Sequence, residues 1–166
     1  MKRNTAGRVD GQTRTMRDLH ATNGLVAGSL IFTQDGELPV EFLGAGDRVI
    51  TRDAGMVEIV AVRSRRVYSR IVAISAGSLG HTKPEQDCVL LACQQVLVRD
   101  WRAEALSGKK AAMVPAAELV DGEFIVDKGE TLTTIYEIEF AEPHVLYADG
   151  LEVASYIATD VMADAA

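Results

Sequence analysis

Cys88 and Cys93 lie five residues apart inside one apolar run, and His20, His81 and His144 are the only histidines in the chain. These are the side chains with the widest chemical range. A C-x4-C pair becomes a zinc site only with a second pair or with histidines at ligand spacing. Neither accompanies it, so the cysteines read as reduced, buried small hydrophobes, and no metal or cofactor is expected. A thiol in apolar surroundings is held protonated, which makes Cys93 a poor nucleophile. Ser29 and Thr33 carry hydroxyls, the other side chains that could serve as nucleophiles. Trp101, in "RDWRAE", has Arg99 and Arg102 close by. Two readings stand open for it: a cation–π stack that pins a loop, or an edge that binds a partner.

Composition narrows the function classes. The chain has 166 residues, 48% apolar and 25% charged, with a net charge of −7. That suits one globular domain, or two small halves sharing a core. Residues 1–23 hold five cations (Lys2, Arg3, Arg8, Arg14, Arg17) against Asp10 and Asp18, a local charge of +3, which leaves −10 for the rest. An acidic body repels phosphate backbones, so nucleic-acid binding by the body is not expected. The basic leader is read as a flexible arm, with a tail that binds nucleic acid or a partner as the alternative. No window reaches the ~18 consecutive apolar residues of a membrane span, and the leader lacks the apolar core of a signal peptide. The expected location is the cytoplasm, or export without a cleavable signal. Residues 24–157 form the expected domain, with 158–166 as a flexible tail.

The elements that would position any site are mostly strands. "LVAGSLIF" (25–32), "LPVEFL" (38–43), "RVIT" (48–51), "MVEIVAVR" (56–63), "RVYSRIVAIS" (66–75) and "CVLLACQQVLV" (88–98) are short β-favouring runs separated by turn residues. "AGSLGHTKPEQD" (76–87) is loop. "RDWRAEALSGKK" (99–110) is polar, with room for a single helical turn. "TLTTIYEIEF" (131–140) is the clearest strand, "DKGE" (127–130) reads as a turn before it, and 144–156 reads as a hairpin folded at Asp149-Gly150. No window of 11 residues sustains a helical apolar face. About a dozen short strands predict an all-β domain.

The chain also repeats itself. "FLGAGDRVI" (42–50) and "ELVDGEFIV" (118–126) share Leu, Gly, an acid and two β-favouring residues at an offset of 76. "MVEIVAVR" then matches "TTIYEIEF" at an offset of 77. Each copy has a leucine ending one stretch, a glycine in a turn and an apolar pair starting a strand. The repeat predicts two equivalent arms about an internal pseudo-two-fold.

With these segments in order, the sequence resembles the Hint (hedgehog/intein) domains, in particular the bacterial stand-alone type. "GLVAGSLIF" stands where that family has Cys-x-x-x-Gly-Thr, and "FLGAGDRVITRDAG" where it has Leu-x-x-Gly-Asp-x-Val. "IVAISAGSLGHTKPEQD", "QQVLVRDWRAEAL", "VPAAELVDGEFIV" and "FAEPHVLYADGLEVAS" continue the match. The resemblance covers about residues 24–156 and implies an all-β disk with pseudo-two-fold symmetry. It also implies a site. Gly24 occupies the nucleophile position, Leu91 and Gln94 the Thr/Ser and His positions of a Thr/Ser-x-x-His motif, and Ala141 and Pro143 the Asp and His positions of a Phe-Asp-x-His run. His144 comes one residue late.

None of these residues can play the family's part. Glycine cannot attack the preceding carbonyl. Glutamine donates a hydrogen bond but supplies no proton near neutral pH. In a strand, one residue of shift would turn His144 to the opposite face unless a bulge intervened. It therefore reads as a structural residue, with a site role as the alternative. Asn23-Gly24 reads as a flexible turn at the domain entrance. The expectation is a Hint-like domain without its autoprocessing residues, acting as a binding or structural module with an unnamed protein partner. The alternatives are a self-cleaving or splicing-type domain with a non-standard nucleophile (Ser29, Thr33 or Cys93), and a delivery module of a secreted protein.

Overall fold

The computed structural model describes residues 23–156, so the expectations for the leader and the tail beyond 156 lie outside the described residues. The fold is all-β, as expected. Its strands are β1 (Leu25–Val26), β2 (Leu30–Thr33), β3 (Gly36–Pro39), β4 (Arg48–Thr51), β5 (Gly55–Glu58), β6 (Ala61–Ile74), β7 (Cys88–Leu91), β8 (Gln95–Val98), β9 (Ala112–Pro115), β10 (Ile125–Glu139), β11 (Val145–Ala148) and β12 (Leu151–Ala154). One sheet has the order β1-β10-β6-β7, and the other β3-β2-β4-β11-β12-β8-β9, with β5 on β4. β6 and β10 pair antiparallel along nearly their whole length and tie both halves together. The core is Val-, Ile- and Leu-rich and includes Ile31, Val49, Val72, Leu90, Val96, Ile125, Ile138, Leu146 and Val153.

The pseudo-two-fold is explicit in the hydrogen bonds. β1 enters β2 through a tight turn, with Ser29 N donating to Val26 O at 3.1 Å; β7 enters β8 the same way, with Gln94 N donating to Leu91 O at 3.0 Å. Ala27 N reaches across to Thr134 O on β10, and Ala92 N to Arg70 O on β6. Val40 N donates to Ser29 O, and Ala116 N to Gln94 O. Pro39 and Pro115 then lead into equivalent 3-10 turns, Val40–Phe42 and Ala116–Leu119. Leu43 and Leu119 are both buried, and Gly46 and Gly122 both have left-handed backbone, φ 92 and φ 81. An L side chain is disfavoured at those angles, which is why the two copies share a glycine there.

Up to the 3-10 turns the halves differ by one insertion. Two residues, Gln34 and Asp35, join β2 to β3, whereas residues 99–111 join β8 to β9 and hold helix α1 (Trp101–Ser107). Asp100 caps it by accepting the Arg102 amide, and Gly108 closes it with φ 75. This is two turns of helix, not the single turn expected. Other readings change as well. "DKGE" is not a turn: β10 runs through it with a register shift between Asp127 and Gly129, a bulge that keeps the strand continuous. "MVEIVAVR" is broken between β5 and β6 at Ile59–Val60, whereas its counterpart lies within β10 up to Glu139. Two apolar runs read as single strands, 25–32 and 88–98, are each folded by a turn.

The β11–β12 hairpin turns at Asp149 (φ 52) and Gly150 (φ 82), the pattern of a type I′ turn. Asp149 is buried, and its carboxylate accepts the Leu30 amide at 3.2 Å. Burial raises its pKa, helped by Glu37 and Glu85 and opposed by the Leu30 bond. The folded state thus binds the Asp149 proton more tightly than the unfolded chain does. The resulting destabilisation is absent in acid and develops as pH rises from about 4. Asp149→Asn keeps an acceptor for Leu30, removes the charge and suits the left-handed angle. It is expected to raise Tm by a few degrees at pH 7, with the gain vanishing below about pH 4. Thermal melts at the two pH values check this.

Candidate functional site

Gly24 is buried at the start of β1, and Asn23 before it is buried as well. Asn23 was read as a flexible turn residue. It is instead an anchor: Oδ1 accepts the Gln95 amide at 3.0 Å, Nδ2 lies 3.4 Å from Ser155 O, and its φ is 53. Asparagine tolerates that angle better than most residues. A side chain at Gly24 would collide with β10, because a Cβ there would stand 2.6 Å from Ile135 Cδ1. Ile135 packs with Leu91 and Val67 in a second small core, against Val26, Ile71 and Cys93. The space beside Gly24 is therefore filled with hydrocarbon.

Gln94 is 0% exposed. Its Nε2 donates to Gln95 O and to Ala154 O, each at 3.0 Å. Two carbonyl partners settle which end of the amide is nitrogen. Oε1 is buried with no hydrogen-bond partner among the described residues. The side chain thus bridges β8 to the end of β12, beside the Asn23 anchor. Gln94 can hold two carbonyls and polarise neither strongly; it has no proton to transfer near neutral pH.

The structure brings together Gly24, Leu91 and Gln94 with Asn23, Ile135 and the segment Ala154–Ser155. Ala141 and Pro143 are exposed on the connection between β10 and β11. His144 lies in that connection, not in a strand, so alternation of faces does not apply to it. Its backbone meets the site, its amide donating to Ser155 Oγ at 2.9 Å and its carbonyl accepting the Ser155 amide. Its ring turns the other way, with Nδ1 3.0 Å from Asp53 Oδ2 and the ring edge-on to Phe140. Asp53 also accepts the Val145 amide. Burial pushes its carboxyl up, but the bonds from Val145 and His144 outweigh this and leave its pKa lowered.

Other candidates are placed as follows. Thr33 Oγ1 donates to Gly36 O and accepts the Asp35 amide, closing a turn. The thiol of Cys88 is pushed up to about 12, mainly by burial, and burial raises Cys93 too. Neither is expected to alkylate with iodoacetamide in the native protein at pH 7, whereas both label in denaturant; mass shifts after each treatment check this. His81 is exposed, His20 lies outside the described residues, and among the described residues no group of three His, Cys, Asp or Glu could hold a metal ion. Arg102 stacks on the Trp101 ring at 4.9 Å, while Arg99 turns away to Glu152. Among the described residues no helix is long and apolar enough to cross a membrane.

Two sheets, a pseudo-two-fold repeated in the backbone hydrogen bonds and a glycine buried at the entry to β1 define the class of intein-like folds. The Hint domain model matches residues 23–160, and this chain belongs to that family. It is similar to the solution structure of a bacterial intein-like domain from Clostridium thermocellum, at 17% identity and TM-score 0.54, with 81% of this chain and 98% of that one covered. It is also similar to the crystal structure of a DnaB intein from Synechocystis sp. PCC 6803, at 13% identity and TM-score 0.56, with 81% and 99% covered. No curated protein matches. Sequence reasoning missed Asn23 and Ile135. The first shows itself only through partners 72 and 132 residues away, and the second only through packing.

Proposed function

We infer that this chain is a Hint domain that does not process itself and serves as a binding or structural module. The observation that carries the reading is the pairing of Gly24, packed against Ile135, with Gln94, fully buried and bound to two carbonyls. A residue without a side chain cannot form an ester or thioester with the Asn23 carbonyl, and a missing nucleophile removes that route. An amide in place of a general acid forgoes about 10²–10⁴-fold of rate. The anchored Asn23 adds support, since its side chain is committed to Gln95 and Ser155. The test is chemical trapping. Full-length protein incubated with thiol at neutral pH is expected to keep its mass. Thiol-dependent release of a fragment beginning at Gly24 would instead favour an autoprocessing domain with another nucleophile; hydroxylamine is unsuitable because it cleaves Asn-Gly bonds whether or not the domain processes itself.

A further inference from the structure

A cavity of about 310 Å³ that Gly24 does not line lies between the 76–87 loop, the end of β8 and the start of β12. Its volume is at the small end of the range for ligand sites. Leu79, Leu97, Val98 and Leu151 give it an apolar lining, and Lys83 and Arg99 bring charge to it. The loop wall is built to hold shape. Leu79 N donates to Lys83 O at 2.9 Å, Gly77 N to Pro84 O at 2.9 Å and Glu85 N to Asp149 O at 3.2 Å. Leu79 packs on the main core, and Ala76 N is held by Asp87.

The charges leave a surplus of donors. Glu152, buried at the cavity, is held by Arg99 Nη2 at 2.6 and 2.8 Å and by Arg52 Nε at 3.3 Å. Asp100, also at the cavity, is paired with Arg102. Both carboxylates are therefore matched. Arg99 keeps Nη1 and Nε without a partner among the described residues, and Lys83 has no ion pair there. The lining itself carries two cations, Lys83 and Arg99, against two carboxylates, Asp100 and Glu152, both already paired. Unclaimed guanidinium and ammonium donors beside an apolar, preformed wall suit one kind of guest.

We propose that this cavity binds a carboxylate carried on a short apolar body, with Lys83 and the unclaimed N–H groups of Arg99 taking the carboxylate and the leucines taking the body. Two sources offer that chemistry: a free monocarboxylic acid, or the C-terminal carboxylate of a peptide ending in an apolar residue.

The experiment titrates the ¹⁵N-labelled full chain with hexanoate, with hexanamide, with an acetylated peptide ending in free leucine, and with the same peptide amidated. The expected result is saturable shifts confined to residues 79–83, 97–100 and 151–152. They should come from hexanoate or the free peptide, be at least about tenfold weaker for the matching amide, and weaken about as much in Lys83→Met. Lys83 is the variant of choice because it holds no carboxylate of the fold; Lys83→Gln serves as a second check. A response to hexanoate alone identifies a free acid, and a tighter response to the peptide identifies a chain end. The proposal is overturned by equal binding of acid and amide, by unchanged affinity in both well-folded Lys83 variants, or by no saturable response up to about 10 mM of any probe.

Discussion

Gln94→Leu is expected to lower folding stability by about 2–4 kcal/mol, although leucine nearly matches the lost volume. The bridge to Gln95 O and Ala154 O is made inside the protein by a side chain with no exposure. Removing the donor takes a hydrogen bond from each of two carbonyls, at about 1–3 kcal/mol for each left unsatisfied, while deleting Oε1, buried without a partner among the described residues, returns part of that. Neutral histidine has one N–H, so Gln94→His satisfies one carbonyl and is expected to cost less than leucine. Urea titrations with unchanged m-values measure the series. A leucine variant as stable as the parent would mean that the bridge contributes nothing.

Gly24→Cys restores a thiol to the family's nucleophile position and is expected to destabilise the domain by about 1–3 kcal/mol. The new Cβ would stand 2.6 Å from Ile135 Cδ1 and 3.2 Å from its Cβ, and Ile135 is wedged against Leu91 and Val67. Ile135→Val deletes the offending methyl. In the parent it should cost about 0.5–1.5 kcal/mol; in the Gly24→Cys protein it should cost less, or stabilise. That sign of coupling, read from a double-mutant cycle, identifies packing as the obstacle. Strict additivity would place the obstacle elsewhere.

Much of the fold was legible because its signals are local. Turn glycines, β-branched runs and the Leu-x-x-Gly repeat at 42–50 and 118–126 each report a nearby backbone requirement, and the two 3-10 turns sit where that repeat begins. The equivalence of "LVAGSLIF" with "LLACQQVLV" was not legible. It runs at an offset of 65, not 76, because α1 is inserted between β8 and β9, and the paired residues share little but apolar character. α1 is under-read in the sequence: Asp100 and Gly108 are cap signals, but Trp101, Arg102 and Glu104 gave no apolar stripe. "DKGE" reads as a turn in any local window; the partner strand β6 keeps it in the sheet as a bulge. In the site, residue types at Gly24 and Gln94 could be read, since a missing side chain is visible in a sequence. Their contacts could not. Asn23, Ile135 and Ala154 come together only through long-range pairing. The ring of His144 turns to Asp53 because residues 141–144 leave the strand, which no strand-parity argument would reveal.

The most direct measurement is a time course of intact mass on the purified full-length chain, held at neutral pH for several days. The expected result is one species at the mass of the 166-residue chain throughout, because Gly24 has no side chain to attack the bond it shares with Asn23 and the Asn23 amide is held by Gln95 and Ser155. A second species that grows with time and begins at Gly24 would contradict a Hint domain that leaves itself whole.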